Sequence, residues 1–492
     1  MEITVIDNPR QGTEKLSTHQ PVPVLCVDLD RTLLATDTFL EAILILLKQS
    51  PWLLFLFPFW GWKGKAYLKR QVANRVPLNV ASLPYREDVL TYLKEEFHLG
   101  RKLVLATGTD EYWAKKINDH LGIFSEILAS NGHTNLVGSE KGRLLEDRFG
   151  FRGFDYIGND VVDLRVWSAA NAALVAEPSK KLLGKIAQCT HIQHTFAQPP
   201  SVWAALIKEI RIYQWVKNIL IFLPIATAHR LFNPTELVQE CIAFMAFSLC
   251  ASSLYVFNDL LDLPADRRHP KKRFRPFASG ALSIQTGVLL QPLLLLAAFL
   301  ISILVLPSAF SYLLLTYAMT TMAYSIYLKK TAILDVLTLA SLYTLRIIAG
   351  GVAVGITISS WLLAFSLFFF LSLAIGKRYA ELQFRKVSTF QGIERRAYVG
   401  ADKDILATMG VISGYMSVLV LALYINSQEV TTLYTNPQLL WLICPLLLYW
   451  ISRTWLLAHR GTPDDDPLIA ALKDPRSYVV AISAALIALV AI

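Results

Sequence analysis

Beyond about residue 210 the chain is a succession of apolar runs, and that succession limits the fold more than any other feature. Nine runs can be read, near 216–229, 237–257, 284–306, 309–327, 335–355, 360–376, 405–425, 437–457 and 477–492. The first and last are the shortest. In hydrocarbon every backbone N–H and C=O must be satisfied within the protein, so runs of this kind fold as membrane-spanning helices. The composition agrees, with 54% hydrophobic and only 17% charged residues among 492. Residues 1 to about 200 have a different texture, mixed and largely soluble, so two domains of different class are expected.

The charges indicate orientation. The opening Met1-Glu2-Ile3-Thr4 is polar and lacks the basic-then-apolar pattern of a signal peptide, so the first domain is expected in the cytosol. Counting spans from there puts every even-numbered connection on the same side. Those connections carry Arg267 to Arg275, Lys329-Lys330, Lys377 to Lys403 and Arg460 to Arg476, as the positive-inside rule requires. The net charge of +9 is thereby explained by cytosolic loops and anionic lipid, which argues against a nucleic-acid partner. The five cysteines form no Cys-x-x-Cys pair and read as free thiols.

The first domain alternates strand-like and helical segments. Val22–Val27, Lys102–Ala106, Asp155–Gly158 and Ala173–Ala176 read as buried parallel strands, so the expected fold is a doubly wound α/β sheet with its site at the strand C-terminal ends. Residues 39–62 interrupt it with two apolar runs around Lys48-Gln49-Ser50-Pro51. Each is too short to span, and a helical hairpin touching the membrane interface or the second domain is expected.

Asp28-Leu29-Asp30-Arg31-Thr32 directly follows the first strand. Two carboxylates two residues apart at a strand end can divide phosphoryl transfer between nucleophile and general acid. Thr107 closes the next strand, Lys141 follows in Val137-Gly138-Ser139-Glu140-Lys141, and Gly158-Asn159-Asp160-Val161-Val162-Asp163 comes last. With these four motifs in order, residues 20–180 resemble the haloacid dehalogenase (HAD) superfamily of phosphatases. The resemblance implies Asp28 and Asp30 as catalytic and Mg²⁺-binding, Thr107 on the phosphoryl group and Lys141 stabilising charge. One departure stands out: family members usually have Asp where this chain has Asn159, so Asp160 or Asp163 would complete the metal site.

In the second domain Asn258-Asp259-Leu260-Leu261-Asp262 and Asp266 end the second apolar run. Their spacings of three and four set the carboxylates on one helix face. A dense basic run follows, His269-Pro270-Lys271-Lys272-Arg273-Phe274-Arg275-Pro276. Carboxylates able to hold Mg²⁺ beside cations able to hold phosphates suit a reaction with a diphosphate leaving group. Residues 205–492 resemble the UbiA superfamily of intramembrane prenyltransferases, whose first aspartate motif this matches. The second pair is incomplete, since Asp335 is followed four residues later by Leu339. Gln214-Trp215-Val216-Lys217-Asn218, the basic run, Leu345-Arg346-Ile347-Ile348-Ala349-Gly350-Gly351 and Gly376-Lys377-Arg378-Tyr379-Ala380-Glu381-Leu382 resemble the decaprenyl-phosphate phosphoribosyltransferase branch.

That branch implies a different donor, phosphoribosyl pyrophosphate (PRPP), and a polyprenyl phosphate as acceptor. Mg²⁺ on Asp259, Asp262 and Asp266 would neutralise departing pyrophosphate. Lys271, Arg273 and Arg275, with Lys377 and Arg378 nearby, would bind donor phosphates. Lys217 and Arg346 would take the lipid phosphate, with Asn258 and Asp335 also substrate-binding. Asp464-Asp465-Asp466 reads as a solvated charge run, because three consecutive residues cannot share a helix face.

The expected organisation is a tail over 1–20, a HAD-like domain over 21–195 and a transferase domain over 196–492 in the plasma membrane, with both sites cytoplasmic. The expected activity is PRPP-dependent phosphoribosyl transfer, followed by removal of the 5-phosphate. Two alternatives stand beside it. One is prenyl transfer onto an aromatic acceptor, and the other is a membrane scaffold with both sites dead. A homo-oligomer is left open.

Overall fold

The computed structural model describes residues 22–197, 201–387, 398–461 and 474–492. The expected tail and the run Asp464–Asp466 lie outside these residues. The chain divides into two compact units, Met1–Ile43 with Trp52–Pro199, and Leu44–Pro51 with Pro200–Ile492.

The first unit is built on a six-stranded parallel sheet. The strands are β1 (Val24–Val27), β2 (Leu103–Asp110), β3 (Glu126–Ser130), β4 (Phe154–Gly158), β5 (Ala172–Val175) and β6 (His191–Thr195), in the order β3-β2-β1-β4-β5-β6. Strand alternation explains why the central strands read as unbroken apolar runs. Leu25, Val27, Leu103 and Leu105 pack on one face with Leu29, Leu33 and Leu93. Cys26, Val104, Ala106 and Tyr156 pack on the other with Trp167 and Leu145. Both faces are covered, as a parallel sheet with crossover helices requires. β3 and β6 are edge strands that the sequence did not announce, because Glu126, His191 and His194 break the apolar pattern there. The segment 39–62 is helical in three pieces, Thr38–Gln49, Pro51–Leu56 and Phe57–Trp62.

β1 sits between β2 and β4, and the connections leave it in opposite directions along the sheet. The register pairs Val27 with Leu105 and with Ile157, so β1 and β4 end almost level while β2 runs on to Asp110. The loops after them therefore open one crevice at the switch point.

The second unit is helical. Among the described residues, six helices are long and apolar enough to cross a membrane: Pro234–Leu261, Ile284–Val305, Leu334–Val354, Ser360–Gln383, Gly400–Ile425 and Pro437–His459. The other three expected spans are also helical but fall short. The first is a 3₁₀ stretch, Ile212–Phe222, that passes into the five-residue helix Leu223–Thr227. The fourth, Ser308–Ile326, is diluted by six serine and threonine residues. The ninth, Pro475–Ala491, has 17 residues.

Apolar side chains cover the outside of this unit as well as its core. On Ile284–Val305 the residues Leu289, Leu293, Leu296, Leu300 and Leu304 are exposed, a lipid-facing stripe rather than a soluble surface. With lipid outside, close helix packing depends on small residues inside. A Cβ on Gly350 would lie 1.9 Å from the Ile221 carbonyl oxygen, and one on Gly410 would lie 2.0 Å from the Trp455 ring. Gly350 thus lets Leu334–Val354 rest directly on the backbone of the 3₁₀ stretch.

Candidate functional sites

In the first unit, Asp28 follows β1 and Lys141 lies in the first turn of the helix Ser139–Phe149. Lys141 Nζ donates to Asp28 Oδ1 at 2.7 Å and to the Tyr156 hydroxyl at 2.9 Å. That hydroxyl donates to Asp163 Oδ1 at 3.0 Å, and Asp163 Oδ2 accepts from the backbone of Asn159 and Asp160. Asp163 therefore shapes the last loop from below. Asp160 is half exposed and caps the turn that begins at Val161. Thr32 Oγ lies 3.3 Å from Asp28 Oδ2 and 3.2 Å from Asn159 Oδ1, which brings Asn159 against the first carboxylate. Asp30 accepts from Thr38 N at 2.8 Å and from the Thr109 hydroxyl at 2.6 Å. Thr107 is fully buried, and its Oγ accepts from Thr109 N. Asp28, Thr32, Lys141, Tyr156, Asn159 and Asp163 thus form one linked cluster after β1 and β4. Burial pushes Asp28 up to about 6 against the pull of Lys141. It also pushes Asp30 up to about 6, with Asp37 adding to the shift.

In the second unit, Asp259 ends the span Pro234–Leu261, and Asp266 lies in the short helix Leu263–Arg268 behind it. Arg275 Nη1 donates to Asp266 Oδ2 at 2.6 Å and to Asp259 Oδ1 at 3.0 Å. Arg211 pairs with the other oxygen of Asp259 and lies over the Tyr255 ring. Asp262 turns elsewhere, to Lys329 Nζ at 2.8 Å. Asp259, Asp262 and Asp266 are all buried. Burial raises Asp266 to about 6 despite Arg275. A deeper network joins Asp335, Arg378 and Tyr324. Arg378 Nη2 donates to Asp335 Oδ1 at 2.8 Å and Nε to Oδ2 at 2.5 Å, while the Tyr324 hydroxyl donates to Asp335 at 2.8 Å.

Residues 219–472, just over half of the chain, match the UbiA prenyltransferase family. The chain belongs to that family. The chain is 35% identical over 466 residues to the uncharacterized protein y4nM of Sinorhizobium fredii, covering 93% of this chain and 89% of the relative. It is 38% identical over 195 residues to a decaprenyl-phosphate phosphoribosyltransferase of Mycolicibacterium smegmatis, covering 39% of this chain and 61% of the relative. A solved UbiA homologue from Archaeoglobus fulgidus, bound to DMAPP and Mg²⁺, superposes with a TM-score of 0.44 at 15% identity, over 57% of this chain and 96% of that one. UbiA membership and the apolar helices together make this a multi-pass membrane protein.

Within the UbiA domain the expected site residues separate into groups. Arg275 joins two of the three aspartates. Lys271 and Arg273 are exposed, and Arg273 lies over the Phe274 ring. Lys217 is buried and Lys377 half-buried. Asn258 contributes its backbone carbonyl to Asp262 N at 2.9 Å. Arg346 is held by Asn218 Oδ1 at 2.9 Å and the Tyr317 hydroxyl at 3.0 Å, amid the rings of Phe247, Tyr317 and Tyr343. The setting of Arg346 is that of a cation stabilising a helix core.

Sequence reading missed Glu209, Arg211, Lys329 and Tyr324. Glu209 and Arg211 sit just before the Gln214–Asn218 run, and their only signal was charge at the threshold of an apolar segment. Among the described residues, no three His, Cys, Asp or Glu side chains converge closely enough to hold a metal by themselves. Mg²⁺ is nevertheless commonly held by one or two carboxylates with substrate phosphates supplying the rest. Asp259 fits such a site because Glu209, fully buried beside it, has two carboxylate oxygens without hydrogen-bond partners.

Proposed function

We propose that the UbiA domain transfers 5-phosphoribose from PRPP to a polyprenyl phosphate, with Mg²⁺, and that the N-terminal domain is a HAD-type phosphatase that then removes the 5-phosphate. The observation that carries this reading is the 38% identity to a decaprenyl-phosphate phosphoribosyltransferase. Arg275 and Arg211 on buried Asp259 give that likeness a chemical setting.

In the transfer, the bond from ribose C1 to the pyrophosphate oxygen breaks and a bond from C1 to a lipid phosphate oxygen forms. A bound Mg²⁺ would neutralise the leaving pyrophosphate. Asp259 would hold the cation, while Arg211 and Arg275 would receive phosphate oxygens as charge-assisted donors. No strong base is needed, because the attacking phosphate monoester is already anionic.

In the second step Asp28 would attack the 5-phosphate as Asp30 protonates the leaving ribose oxygen, and water would then hydrolyse the aspartyl-phosphate to free phosphate and Asp28. Lys141, at 2.7 Å from Asp28, would balance charge on the phosphoryl group. Asn159 stands where a carboxylate is usual, so a weaker hold on Mg²⁺ follows there. Joining the two steps in one chain keeps a lipid intermediate at high local concentration. The arrangement implies sites on the cytoplasmic side of the plasma membrane and a product for cell-envelope glycan synthesis.

The test is to incubate the purified protein with PRPP, Mg²⁺ and decaprenyl phosphate. Pyrophosphate release should be followed by phosphate release, and Asp28→Asn should abolish only the second. A second reading, prenyl transfer from a prenyl diphosphate, has the family's general description in its favour. The missing partner four residues after Asp335 counts against it.

A further inference from the structure

Glu209 lies in the last turn of the helix Val202–Ile210, outside every motif of the membrane domain. It is fully buried, and neither carboxylate oxygen has a hydrogen-bond donor among the described residues. Burying a charged group without a partner is costly, and an apolar side chain would fill the position without that cost. Its surroundings are specific. Arg211, two residues on, pairs with Asp259, which Arg275 also holds, so Glu209 lies beside that carboxylate cluster. Two bonds fix this approach: Ser252 Oγ donates to the Ile210 carbonyl at 2.7 Å, and Trp215 Nε1 donates to Ser252 at 2.9 Å. They tie the turn that carries Glu209 to the helix that carries Asp259. Arg211, next but one in the chain, adopts φ of 56°, a left-handed conformation rare outside glycine, and this turns its guanidinium onto Asp259.

We infer that Glu209 is a ligand of the membrane-domain cation, held jointly with Asp259, and that it contributes the carboxylate which the aspartate motif directs elsewhere. Asp262 bonds to Lys329, and Asp266 reaches Asp259 only through Arg275. Glu209, unlike Asp262 and Asp266, has both carboxylate oxygens without a hydrogen-bond partner among the described residues. Two carboxylates suffice for Mg²⁺ when diphosphate oxygens complete the shell. The same ion would give Glu209 the partner it lacks. The inference rests on reading this domain as a metal–diphosphate site.

The test uses the full-length protein in detergent, with Mn²⁺ and inorganic pyrophosphate as probes and melting temperature as the readout. Mn²⁺ with pyrophosphate should raise the melting temperature of the wild type. Glu209→Gln should melt at or above the wild type without metal, since it relieves two neighbouring carboxyls. Its Mn²⁺ midpoint should rise on the order of tenfold or more. Glu209→Asp keeps a carboxylate and should keep most of the response. A Glu209→Gln protein that melts lower without metal and has an unchanged midpoint overturns the inference, because the residue then serves packing alone. Equal loss of the response in Glu209→Asp and Glu209→Gln also overturns it. A wild type that ignores Mn²⁺ with pyrophosphate defeats the underlying reading as well.

Discussion

One guanidinium nitrogen serves two carboxylates: Arg275 Nη1 lies 2.6 Å from Asp266 Oδ2 and 3.0 Å from Asp259 Oδ1. The bond gathers residues sixteen and nine positions away into one buried cluster. If Arg275 exchanges these partners for donor phosphate during turnover, Arg275→Met should slow pyrophosphate release by on the order of 10²–10³-fold. Arg275→Lys should recover part of the rate, since a point charge replaces a forked donor. Steady-state release assays with PRPP measure both. Wild-type rates in Arg275→Met would remove it from the chemistry.

Asp335 and Arg378 form the second buried pair, and they join the helix Leu334–Val354 to Ser360–Val387. Breaking such a pair leaves an uncompensated buried charge. Asp335→Asn alone should therefore destabilise by about 3–5 kcal/mol, read as a lowered melting temperature in detergent. The double replacement Asp335→Asn with Arg378→Met should recover much of that loss. Additive losses in the double variant would mean that the two residues do not depend on each other.

The sequence conveyed the two-part architecture clearly, because membrane helices and buried parallel strands both announce themselves as apolar runs. It was silent where burial and polarity conflict. The edge strands Glu126–Ser130 and His191–Thr195 are half-solvated and lose the pattern. Within the first unit, Asp28 at a strand end and Lys141 in the turn of a later helix lie in direct contact. Spacing on one helix face promised that Asp259, Asp262 and Asp266 would act together. However, the span ends at Leu261 and Asp262 begins a new turn, so Asp262 is directed to Lys329 instead. Glu209 and Arg211 could not be found by spacing, because a left-handed residue between two helical segments sets their direction.

If the first unit performs the proposed phosphatase step, the pH dependence of phosphate release follows from its raised carboxyls. Asp28 must be ionised to attack, so that limb rises as pH passes upward through about 6. Asp30 must hold a proton to serve the leaving oxygen, so the rate falls as pH climbs beyond about 6. The profile should be a bell near pH 6, its limbs belonging to the pair. Both groups bind protons more tightly folded than unfolded. Their contribution to stability is thus greatest at low pH and fades as pH rises through about 6. Phosphate release that keeps rising into the alkaline range would exclude Asp30 as the acid.

Gly350 tests the packing beneath the UbiA site. A methyl group there meets the Ile221 carbonyl at 1.9 Å, and backbone cannot swing aside as a side chain can. Gly350→Ala should cost about 1–3 kcal/mol, and Gly350→Leu more. A melting temperature unchanged in Gly350→Ala would show that the 3₁₀ stretch Ile212–Phe222 is free to retreat.

Donor choice tests the central claim most directly. Purified protein with Mg²⁺ and decaprenyl phosphate should release pyrophosphate from PRPP and then phosphate, with a ribose-bearing lipid left in the membrane phase. It should leave a prenyl diphosphate offered with an aromatic acceptor untouched. Pyrophosphate released from the prenyl diphosphate, and none from PRPP, would contradict the account and make the isoprenoid the group transferred.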